Sequence, residues 1–203
     1  MALGIFSRVF GGGPRTTGPD SSTRVKDLSA LSKEILVRAH KCSEALKQYL
    51  KYDDPNEKQA AGIAVQNEFL YLFIFLATRE VLNRQSSEKA RALVEFLEHT
   101  IIGSMLDGMF SDWPDDRRQR LRADFLLDLN DAESEYFKCT ELFSREQPFT
   151  GDSVLTTFAR KVTLVLGHEN LNPEVFMQVL ERTTEAYTSM DLDGLALKAA
   201  RAL

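Results

Sequence analysis

The sequence predicts an all-α fold: an antiparallel helical bundle of four long helices with two or three additional C-terminal helices. Three observations carry this. Apolar residues recur at steps of three and four along most of the chain. Start signals built from Ser, Asp, Asn and Pro separate those stretches. No alternating run is long enough to require a sheet. The expected division is a flexible N-terminal segment over residues 1–24 and a single helical domain over residues 25–203, with a sub-boundary near 145–150.

The first helix follows from Leu28, Leu31, Ile35, Ala39, Cys42, Leu46 and Tyr49, one amphipathic stripe. Asp53-Asp54-Pro55-Asn56 breaks it and starts the second, because Asp caps exposed amides and Pro suits a first turn. The second helix, about Asn56 to Asn83, holds the run from Asn67 to Glu80, apolar on every side yet bracketed by charge. That run is shorter than the about 20 apolar residues a bilayer crossing needs, so it is expected to be the most buried helix of a bundle. Ser86 or Ser87 caps a third helix with Leu93, Phe96, Leu97, Ile101, Met105 and Met109 in period, and Gly103, Ser104 and Gly108 thin one of its faces. Asp112-Trp113-Pro114-Asp115-Asp116 opens a fourth, whose stripe runs from Leu121 through Phe125, Leu129, Ala132, Tyr136 and Cys139 to Phe143. Shorter helices follow over 152–166, from Asn172-Pro173 onward, and over 195–203.

At 203 residues, with 43% apolar and 27% charged residues, the chain is long and apolar enough for one packed core. A net charge of −5 counts against nucleic acid as a partner, since phosphate binding needs concentrated Lys and Arg. Cys42 and Cys139 suit two small buried hydrophobes in a reducing compartment, so a cytoplasmic location is expected. Residues 1–10 are apolar around Arg8 and precede Gly11-Gly12-Gly13-Pro14, which leaves an organellar address or peripheral membrane contact as the alternative.

No catalytic constellation emerges. His40 and Cys42 are two apart on a helix and point away from each other. The glycine run at 11–13 lacks the Lys-Ser/Thr of a phosphate loop. Glu95, Glu98 and His99 share one turn that Glu68 could face, but the chain has no Glu-x-x-His pair, so neither metal nor cofactor is expected. Arg117, Arg118, Arg120 and Arg122 form the densest basic cluster, a candidate anionic docking patch, although Asp112, Asp115, Asp116 and Asp124 surround it.

The leading expectation is a non-enzymatic helical interaction module, an adaptor or scaffold that self-associates, because the second helix carries more apolar surface than one bundle stripe needs. Its partners would be another protein or a second copy. The alternative is a ligand-binding or sensory bundle with an apolar pocket between the second and third helices, a small molecule being held by Glu68, Phe69, Arg79, His99 and Met105. A ferritin-like metal-dependent oxidase ranks below both.

Overall fold

The computed structural model describes residues 21–144 and 151–203, with residues 21–24 and 109 as backbone alone. Expectations for residues 1–20, including membrane contact through residues 1–10, lie outside the described residues, as does the sub-boundary at 145–150. The described residues form seven α-helices: α1 Ser21–Leu46, α2 Pro55–Arg84, α3 Ser87–Met109, α4 Asp115–Tyr136, α5 Val154–Val165, α6 Pro173–Ser189 and α7 Leu192–Ala202. The protein is all-α; among the described residues the only β-type pairing is an isolated bridge between Glu141 and Ser153.

Side chains cap the helices where the sequence places them. Asp54 accepts from the amides of Asn56 and Glu57 ahead of Pro55. Ser86 accepts from Lys89, Ser153 from Thr156, and Asn172 from Glu174 and Val175. At the other end of the chain, Lys89 Nζ donates to the Ala200 carbonyl at 2.6 Å and Gln85 to that of Leu197 at 3.3 Å, satisfying the end of α7.

Two boundaries differ from expectation. Helix α1 starts at Ser21, inside the segment assigned to a linker. Helix α4 ends at Tyr136, short of Phe143: the amides of Lys138 and Cys139 turn to the carbonyls of Glu135 and Tyr136 three residues back, and farther on the Glu141 and Leu142 carbonyls accept from the amides of Val154 and Leu155, each at 3.0 Å.

The core is built around α2, whose residues from Glu68 to Thr78 are all buried. A helix buried on every side needs neighbours on every side, and α2 contacts α1, α3, α4, α5 and α7. Its aromatic side chains meet two of them: Phe69 packs edge-on to Phe158 of α5 with centroids 4.9 Å apart, and on α4 Tyr71 meets Phe125 at 4.9 Å and Phe75 meets Tyr136 at 5.2 Å. Each such burial is worth about 1.5–3 kcal/mol. Helix α7 lies against α1, α2 and α3, so the C-terminal region completes the core instead of extending a finished bundle.

Taken as a whole helix, α2 is long and apolar enough to cross a membrane, with 67% of the qualifying window buried inside the chain. The apolar surplus that argued for self-association is therefore covered by the protein's own helices. On the small face of α3 a Cβ at Gly103 or Gly108 would meet nothing within 4 Å, so no neighbouring backbone packs closely on these glycines.

Candidate functional site

The five candidate ligand residues do not converge. Phe69 is wholly buried between Phe73 and Phe158. Arg79 is half-buried farther along α2, beside Tyr187 of α6. His99 is exposed, with Nδ1 3.2 Å from Nη2 of Arg122; since guanidinium only donates, Nδ1 is the acceptor and its lone pair is engaged. Glu68 and Met105 sit at two separate places, one on the α5 side of α2 and one on the α3 side.

Glu68 meets Lys161 of α5 at 3.3 Å, and Lys161 also lies 4.0 Å from Glu135 of α4. Burial pushes the Glu68 carboxyl up to about 6; Lys161 opposes the shift, while Asp128 and Glu135 add to it. Its Oε2 has no hydrogen-bond partner among the described residues, and neither does the buried hydroxyl of Tyr136. The Tyr136 hydroxyl is pushed well above its ordinary range, first by burial and then by Glu68 and Glu135. This is a partly buried ion pair between α2 and α5, with Glu135 and Tyr136 of α4 as polar neighbours. Two further carboxyls, Glu98 of α3 and Glu133 of α4, influence each other as like charges. Burial, reinforced by the charge of Glu98, raises Glu133 to about 7. Glu98 is itself raised by burial and by Glu95.

The four arginines are divided among local partners. Arg117 lies over the Trp113 ring at 3.6 Å. Arg118 binds Asp107 at 2.7 Å, Arg120 is 3.9 Å from Asp116, and Arg122 faces His99. Neutralisation by neighbours describes this cluster better than a shared anion site. Cys42 and Cys139 are both free thiols; burial pushes the Cys42 thiol up to about 11, which makes it inert near neutral pH. Among the described residues no three His, Cys, Asp or Glu side chains are grouped to hold a metal ion.

Two surface features bear on the expected functions. At the junction of α2, α3 and α4 lies a cavity of about 60 Å³, walled by Ile63, Met105, Leu106 and Phe125 and edged by Asn67, Asp124 and Asp128. On α6, Met177 and Leu180 form a shallow groove with Phe143, rimmed by Glu181, Thr184 and Glu185. Sequence reasoning found Met105 but not Asn67, Asp124 or Asp128. The signal was available for the two acids, because they are an i,i+4 pair flanking the apolar Leu121 and Phe125.

The fold and its surfaces define an all-α protein whose central helix is enclosed from Glu68 to Thr78. No protein-family model matches the chain, and comparison with curated proteins and with solved structures likewise finds no match.

Proposed function

We propose that the protein is a non-enzymatic helical interaction module, an adaptor or scaffold that self-associates, with the four long helices as its antiparallel frame. The observation that carries this reading is the groove on α6. Phe143 and Met177 are 39% and 43% exposed there, beside buried Leu180 and within a polar rim. Apolar surface rimmed by polar side chains is the usual mark of a protein contact. Pairing about a twofold axis would set the Phe143 and Met177 of two copies against each other. Self-association thus rests on α6 and no longer on α2.

The competing small-molecule reading is weakened by size. Ligand sites occupy about 300–1,000 Å³, whereas the cavity beside Met105 holds about 60 Å³. The oxidase reading has no grouped ligands among the described residues to support it.

Sedimentation equilibrium of the full chain from low to high micromolar concentration tests the proposal. Self-association is expected, with Phe143→Glu and Met177→Glu each weakening it about tenfold, equivalent to about 1.4 kcal/mol, at unchanged melting temperature. A monomer throughout that range would remove the self-association.

A further inference from the structure

We draw no further inference here: the strongest candidate, the apolar groove of Phe143, Met177 and Leu180 on α6 as a seat for residues 1–10, whose apolar side chains and Arg8 would suit its acidic rim, rests on a segment outside the described residues, and nothing in the structure shows what covers the groove.

Discussion

The ammonium of Lys161 on α5 stands 3.3 Å from the carboxylate of Glu68, a charged side chain within the otherwise apolar buried stretch of α2. The pair joins two helices that otherwise meet through apolar side chains such as Phe69 and Phe158. It also has asymmetric energetics, since Glu68 is nearly enclosed while Lys161 keeps 32% of its side-chain surface in water. Lys161→Met should leave the carboxylate unpaired and destabilise the protein by about 2 kcal/mol, less than for a fully buried pair because solvent screens the lysine. Adding Glu68→Leu should restore most of that loss. Urea unfolding of both single variants and the double variant checks it; additive losses would show that the two side chains are not coupled.

Stability should fall as pH rises through the weakly acidic range. Burial raises Glu68 from 4.5 to about 6 and Glu133 from 4.5 to about 7. Between those values the folded chain holds more protons than the unfolded one. The stabilisation from the neutral carboxyls is thus complete below 4.5 and is lost as pH rises through 6 and 7. For Glu68 the effect is on the order of 2 kcal/mol. Urea midpoints measured from pH 5 to pH 8 should decline, and Glu133→Gln should flatten the upper part of the decline. A midpoint that climbs over this window would contradict both assignments.

The hydroxyl of Tyr136 is a liability rather than a support. It is buried with no partner among the described residues, while its ring packs on Phe75 at 5.2 Å. Tyr136→Phe should therefore be neutral or stabilising by up to about 1 kcal/mol, since it removes an unsatisfied polar atom and keeps the ring. Tyr136→Ala should cost about 3–5 kcal/mol by opening a cavity in the core. Thermal unfolding of the two variants separates the contributions of ring and hydroxyl.

Two glycines should respond to alanine with opposite signs. Gly167 has φ +90°, and a Cβ there would meet the Lys51 carbonyl oxygen at 3.2 Å. That carbonyl belongs to the residue whose amide donates to Leu166 at 3.0 Å, so neither side can easily give way. Gly167→Ala should destabilise by about 1–3 kcal/mol. Gly103 lies in the interior of α3 with open space around it, and Gly103→Ala should stabilise by about 0.5–1 kcal/mol through helix propensity. Paired denaturation curves decide both signs.

Much of the fold was legible locally. The caps at Asp54, Ser86 and Asn172 fall where the sequence puts them, because capping depends on residues within one turn. The buried run of α2 was equally plain. The candidate sites were less so. Glu68 and Met105 both border the second helix's core, yet one faces Lys161 and the other the Asp124 and Asp128 cavity. No periodicity distinguishes those two sides, since α2 is apolar all round.

The sequence by itself determined the helical class, the order of the helices, their start signals and the identity of the central one. Each follows from side-chain period and from hydrogen bonds made within a few residues. Only the tertiary structure decided what covers that central helix. Residues remote in the chain, Lys161 and the α7 segment among them, take up its charge and its apolar surface. Contacts between distant residues depend on which helix faces which, and a pattern read along one helix contains no information about its neighbours.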